Sequence, residues 1–131
     1  MTNCRKIIDK RIKVTWNRNG TTVHYTSPAI LLHRDKIVNI KITPLEGRYD
    51  CFALHCIGEF NITIRLINKL YNTVSMEHDI KLEISSFGVS RREAQTQFSP
   101  DITGPYIVEV LTNVSKPDNA YAFVNMEISE C

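Results

Sequence analysis

The feature that most constrains this chain is a hydrophobic period of two. Ile12, Val14 and Trp16 alternate with Lys13, Thr15 and Asn17, and Val38, Ile40 and Ile42 with Asn39 and Lys41. The same rule runs through Phe60, Ile62, Ile64 and Leu66, then Ile80, Leu82 and Ile84, then Tyr106, Val108 and Val110, then Ala122, Val124, Met126 and Ile128. Successive side chains of a strand point to opposite faces, so each run reads as a strand with one face buried and one in water. Ser27-Pro28, Pro44, Gly104-Pro105 and Pro117-Asp118-Asn119 punctuate the runs. About eight short strands separated by turn signals every ~8–14 residues are the mark of a sandwich or barrel. The expectation is therefore one all-β domain over residues 1–131, an antiparallel β-sandwich of immunoglobulin-like or jelly-roll topology. Its core should hold Val14, Trp16, Val38, Ile40, Ile42, Ile62, Ile64, Leu82, Ile84, Val108, Val110, Val124 and Met126.

Local details follow from turn chemistry. Asn19-Gly20 tolerates the positive φ of a type I′ turn and predicts a hairpin with Trp16 opposite Val23 and Val14 opposite Tyr25. Pro44 is expected to end its strand, and Leu45-Glu46-Gly47-Arg48 to form a turn. The segment from Gly88 to Gly104 shows no strand period. It reads as a long loop with a single helical turn near Ser90–Gln95, where Ser90 and Glu93 imitate a capping box.

Four cysteines, Cys4, Cys51, Cys56 and Cys131, allow three disulfide pairings. A local Cys51–Cys56 bridge and a Cys4–Cys131 clamp across the termini are the preferred set, the local bridge requiring the chain to bend. Three N-x-S/T sequons, at Asn19, Asn61 and Asn113, fall in a turn, on the polar side of a strand and at a strand end, all reachable by a glycan. Disulfides and glycans both belong to the secretory pathway, so a secreted or cell-surface protein is expected. No signal peptide precedes the first strand, so a secreted form would be the mature domain. Uninterrupted apolar runs such as Ala29–Leu32 fall far short of the ~20 residues of a membrane span, so no membrane insertion is expected.

No catalytic or metal signature accompanies the fold. Cys51-x4-Cys56 with His55 between lacks the second close pair that a zinc site needs, and His24, His33 and His78 lie on separate elements. Cys56 beside His55 offers nucleophile and base, but neighbours on a strand face apart and an oxidised cysteine is inert. G-x-S-x-G, H-E-x-x-H, P-loop and EF-hand patterns are missing. The expectation is a non-enzymatic domain with no cofactor and no metal.

Charge and aromatic placement suggest where it binds. The first 18 residues carry six bases against Asp9 alone, a formal +5 in a chain whose total is +2. Arg5, Lys6, Lys10, Arg11 and Lys13 could hold a glycosaminoglycan or other polyanion, or could guard an edge strand and pair with the acidic C-terminal strand. Nucleic acid is disfavoured, because aromatic residues do not interleave with these bases. Within Gly88–Gly104, Phe87 at its edge, Arg91, Arg92 and Phe98 combine the aromatic and guanidinium groups common at interface hot spots. Sixteen isoleucines and ten asparagines against five alanines and five glycines have the skew of an AT-rich genome, in keeping with a host-facing parasite or viral protein. Thr103-Gly104-Pro105-Tyr106-Ile107-Val108-Glu109-Val110, followed by an aromatic-bearing last strand, resembles the closing strands of GOLD-type β-sandwiches. That resemblance is confined to the C-terminal part of the chain and assigns no functional residue.

The reading these features support is an extracellular recognition domain for a protein or glycan partner, using the Phe87–Phe98 segment. The alternatives are a polyanion binder through the basic N-terminal segment and a structural subunit of a surface assembly. The oligomeric state is left open.

Overall fold

The computed structural model describes residues 3–16, 20–51, 56–113 and 119–131. Ten strands run through them: β1 (Arg5–Trp16), β2 (Thr22–Thr26), β3 (Ile30–Leu32), β4 (Val38–Tyr49), β5 (Ile57–Asn68), β6 (Thr73–Ser85), β7 (Gly88–Val89), β8 (Ala94–Phe98), β9 (Gly104–Thr112) and β10 (Ala120–Glu130). They form two antiparallel sheets. One, called sheet A, has the order β1-β10-β4-β8; sheet B has the order β2-β9-β5-β6-β7, with β3 also on β9.

Two of the ten are fragments. β2 and β3 both pair with β9, and the break between them is Ser27-Pro28, where proline removes a ladder donor. Ser27 repairs the gap: its amide donates to the Val108 carbonyl at 2.9 Å, and its hydroxyl accepts from the Val108 amide at 2.8 Å. β7 adds two residues to the edge of β6. The remaining pairing is nested, β1 with β10, β2/β3 with β9, β4 with β8 and β5 with β6, alternating between sheets. A long antiparallel hairpin rolled into two sheets gives this order, which is the jelly-roll arrangement rather than the immunoglobulin one.

Every residue expected in the core is buried. Trp16 of sheet A meets Phe60 of sheet B with ring centroids 4.9 Å apart, and Tyr49 packs edge-on against Phe60 at 5.3 Å. The Trp16 indole N–H donates to the Asn61 carbonyl at 2.8 Å, so its one polar atom is satisfied on burial.

Four local expectations are overturned. β1 and β2 do not form a hairpin: β1 pairs with β10, β2 with β9, and the two lie in different sheets. Gly20 does have the positive φ of 98° that the Asn19-Gly20 dipeptide implied, but it serves a crossing between sheets. Apolar faces that would meet across a hairpin also meet across a sandwich, so alternation alone could not separate the two. Second, Pro44 does not end β4. The register slips between Phe123 and Val124, which face Glu46 and Pro44, leaving Leu45 as the extra residue of a bulge. Third, Gly47 lies inside the strand, where close packing requires glycine: a Cβ there would stand 2.9 Å from the Tyr121 carbonyl oxygen. Fourth, the segment after Gly88 contains β8, an edge strand rather than a loop, with no helical turn at Ser90–Gln95. Its sequence, AQTQF, hid it, because Gln95 and Gln97 face water and the inward Ala94, Thr96 and Phe98 are only half-buried.

The cysteines pair as Cys4–Cys131 and Cys51–Cys56. The first joins the ends of β1 and β10; the second closes the β4–β5 connection.

Candidate functional site

The sequence-selected residues do not gather in one place. Phe98 pairs with Val38 in β8 and turns inward, its ring 6.2 Å from Tyr106. Phe87 is 79% exposed at the turn after Ser85, at the opposite end of the sandwich. Arg91 and Arg92 are exposed on the link between β7 and β8. These four therefore do not form a single surface.

The N-terminal bases are also divided. Arg5 donates to the Leu31 carbonyl and to Glu130, each at 3.3 Å. Glu130, whose side chain is only 5% exposed, also accepts from the His33 amide at 2.8 Å and lies 3.0 Å from His33 Nδ1. Lys6 pairs with Asp9 at 3.3 Å and Glu127 at 3.6 Å. Its bond with Asp9 is the main influence raising its pKa, and the bond from Asn125, then that from Lys6, holds the Asp9 carboxyl below its ordinary value. Lys10 shares the register of the buried Ile8 and Ile12 and reaches solvent at the edge of the sheet. Lys6, Arg11 and Lys13 point to the outer face of sheet A, Lys6 at its Ser129 end and already paired there.

That face has the most developed chemistry of the molecule. β10 is an inner strand of its sheet, so its outward residues Tyr121, Phe123, Asn125, Glu127 and Ser129 lie along the middle of an open surface. Antiparallel register sets Lys13 beside Phe123, Thr15 beside Tyr121 and Arg11 beside Asn125. The Arg11 guanidinium caps the Phe123 ring at 4.6 Å and pairs with Glu46 at 3.1 Å. Lys13 Nζ stands between two rings, 5.5 Å from Tyr121 and 5.8 Å from Phe123, near the outer limit of a cation–π contact. The two rings meet edge-on at 6.1 Å.

Two hollows mark the ends of this strip. The one beside Tyr121 has a volume of about 600 Å³ and is lined by Lys13, Thr15, Trp16, Asp50, Asn119, Ala120 and Tyr121. The other, of about 220 Å³, is lined by Asn39, Ile40, Lys41, Gln95, Glu127 and Ser129. From Tyr121 to Ser129 the strip runs about 26 Å at roughly 3.3 Å per residue.

No protein-family model matches the chain, and no curated protein matches it in sequence. Fold alone relates it to known proteins. It superposes on part of an arabinose-bound α-L-arabinofuranosidase with a TM-score of 0.57 at 7% identity, covering 97% of this chain and 23% of that one. The chain thus spans less than a quarter of that enzyme. A VP2 subviral particle of infectious bursal disease virus matches at 9% identity over 98% of this chain and 40% of the other, with a TM-score of 0.32. The GOLD-like closing sequence lies in β9 and β10, and no family match accompanies it.

Tyr121 and Phe123 escaped sequence reasoning, although a signal was present. In a strand whose even positions, Ala122 to Ile128, build the core, the odd positions should be polar; aromatic residues there mark an apolar patch in water. Among the described residues, no group of three His, Cys, Asp or Glu is placed to hold a metal. Asn61 and Asn113 are exposed, and both belong to sheet B or its edge. The Asn113 side-chain oxygen accepts from Thr21 at 3.0 Å. Asn19 and His55 lie outside the described residues.

Proposed function

We propose that this chain is a non-enzymatic recognition domain of the cell surface or extracellular space, binding an extended glycan along the outer face of sheet A. The observation that carries this reading is the half-buried Tyr121–Phe123 strip with Arg11 and Lys13 beside it and a hollow at each end. Aromatic rings offer an apolar face to the C–H face of a sugar, while carboxylates, amides and ammonium groups meet its hydroxyls and acidic substituents. Such groups sit here on strands rather than loops, which keeps them in place before the ligand arrives. The two disulfides suit an oxidising compartment. Glycans on Asn61 and Asn113 would occupy the sheet B side and leave this face open.

The test is binding of the purified, glycosylated domain to an immobilised panel of acidic and neutral oligosaccharides. Replacing Tyr121 and Phe123 by alanine should weaken capture at least tenfold, with Arg91→Ala, Arg92→Ala and Phe87→Ala unchanged. The reverse result would move recognition to the β6–β8 connection. Capture of a protein but of no glycan would replace the ligand class.

A second reading, a subunit of a larger surface assembly, rests on β6. Beyond Ile84 and Ser85, which pair with β7, its outer edge has no strand partner among the described residues. Glu77, Asp79, Lys81 and Glu83 alternate along that strand and guard against such pairing, so this reading ranks second. Sedimentation that shifts with protein concentration would favour it.

A further inference from the structure

We infer that the hollow beside Tyr121 is a subsite for one acidic pyranose unit, its ring on Tyr121 and its anionic group on Lys13. This rests on the glycan reading above and specifies the unit selected. The hollow is a shallow, open depression of about 600 Å³, against about 220 Å³ for the one at the far end of the strip.

Charge bookkeeping around it points to an anion. Arg11 is matched by Glu46 at 3.1 Å and Arg48 by Asp50 at 2.8 Å. Lys13 has no carboxylate partner among the described residues and is held only by two distant ring faces. One positive charge is therefore left beside an aromatic wall. Arg11 already caps Phe123 closely, so Tyr121 is the ring left for stacking.

The opposite lip supplies acceptors for hydroxyl groups. Asp50 engages Arg48 at 2.8 Å, and its side chain is 60% exposed at this lip. Its amide donates to the Asn119 carbonyl at 3.0 Å, which ties the end of β4 to the residue entering β10. Asn119 has a left-handed φ of 76°, a conformation that asparagine adopts more readily than most residues. An acidic sugar lying between Lys13 and Asp50 would thus find a cation on one side and a hydroxyl acceptor on the other.

The experiment is calorimetric titration with oligosaccharides of hyaluronan and polygalacturonate, each beside its neutral, carboxyl-reduced counterpart. The acidic form of at least one should bind wild type about tenfold more tightly than its reduced form. Lys13→Gln should abolish that difference, and Lys81→Gln, on sheet B, should preserve it. Tyr121→Ala should weaken both forms. Equal binding of acidic and reduced forms by wild type, or full discrimination by Lys13→Gln, overturns the subsite while the glycan reading stands. Binding of no oligosaccharide in either form overturns both.

Discussion

Trp16 and Phe60 join the two sheets directly: their rings meet 4.9 Å apart, and the indole N–H reaches the carbonyl of Asn61, the residue after Phe60. Both side chains are essentially buried. Truncating either leaves a cavity between sheets that hydrogen-bonded strands cannot readily collapse. Phe60→Ala should cost about 3–5 kcal/mol, seen as a lower urea midpoint with an unchanged slope. Trp16→Phe should cost less, retaining the ring contact but leaving the Asn61 carbonyl without its indole donor.

The two disulfides should differ in worth. Cys4–Cys131 closes a loop with a sequence separation of 127 and Cys51–Cys56 one of 5. Loop-closure entropy places the first near 5 kcal/mol and the second near 2 kcal/mol. Serine pairs at each bridge, compared by urea denaturation, should rank in that order; equal losses would mean that β1–β10 pairing already confines the termini in the unfolded ensemble.

His24 should make the β1–β2 corner sensitive to acid. Its Nε2 lies 2.8 Å from the Thr112 hydroxyl oxygen, and that hydroxyl donates to the Thr15 carbonyl at 2.7 Å, linking β2, β9 and β1. Burial holds its pKa below the ordinary 6.5. Protonation therefore favours the unfolded chain. Above the ordinary value the imidazole is neutral in both states and contributes no pH dependence; below it, stability falls until the folded-state value is passed. His24→Gln should lose less stability than wild type between about pH 8 and about pH 5, measured by urea midpoints at each pH. Parallel profiles would refute this.

Gly47 couples packing to the candidate face. An added Cβ would lie 2.9 Å from the Tyr121 carbonyl oxygen and 3.2 Å from the Cβ atoms of Ala122 and Val89. Backbone oxygen cannot swing aside as a side chain can. Gly47→Ala should destabilise by about 1–3 kcal/mol and, by displacing β10 at Tyr121, weaken oligosaccharide binding as well. Lost stability with intact binding would show that the strip tolerates a shift of its central strand.

Glu130 is expected to be the least replaceable acid. It is buried and receives the His33 amide, the His33 ring and Arg5. Glu130→Ala strands these donors and should cost about 1–3 kcal/mol, whereas the exposed Glu77→Ala should change the thermal midpoint little.

Much of the candidate site was visible without being recognisable. Arg11 and Lys13 stood out as bases, whereas Tyr121 and Phe123 entered only as the aromatic content of the last strand. The expected Cys4–Cys131 clamp and the match of basic and acidic segments already set the first strand near the last, but the register that lays Lys13 beside Phe123 and Thr15 beside Tyr121 was not written in either. The segment holding β8 shows the reverse error. A short polar strand at a sheet edge is too weakly patterned to be distinguished from a loop, and Arg91, Arg92 and Phe98 lost their common surface once Phe98 entered the sheet.

Alternation of apolar and polar residues was enough by itself to say which side of each strand faces inward, because side chains on a strand must alternate whatever the strand pairs with. Val14, Ile62, Val108 and Met126 are buried for that local reason. Closeness in sequence favoured a Cys51–Cys56 bridge, although strand alternation put the two on opposite faces and so demanded a bend. Which edges meet was decided only by tertiary structure. Backbone N–H and C=O groups are the same in every strand, so they carry no label for a partner, and the nested jelly-roll order emerged from closing one core between two sheets. That closure brought Lys13 of the first strand beside Tyr121 of the last.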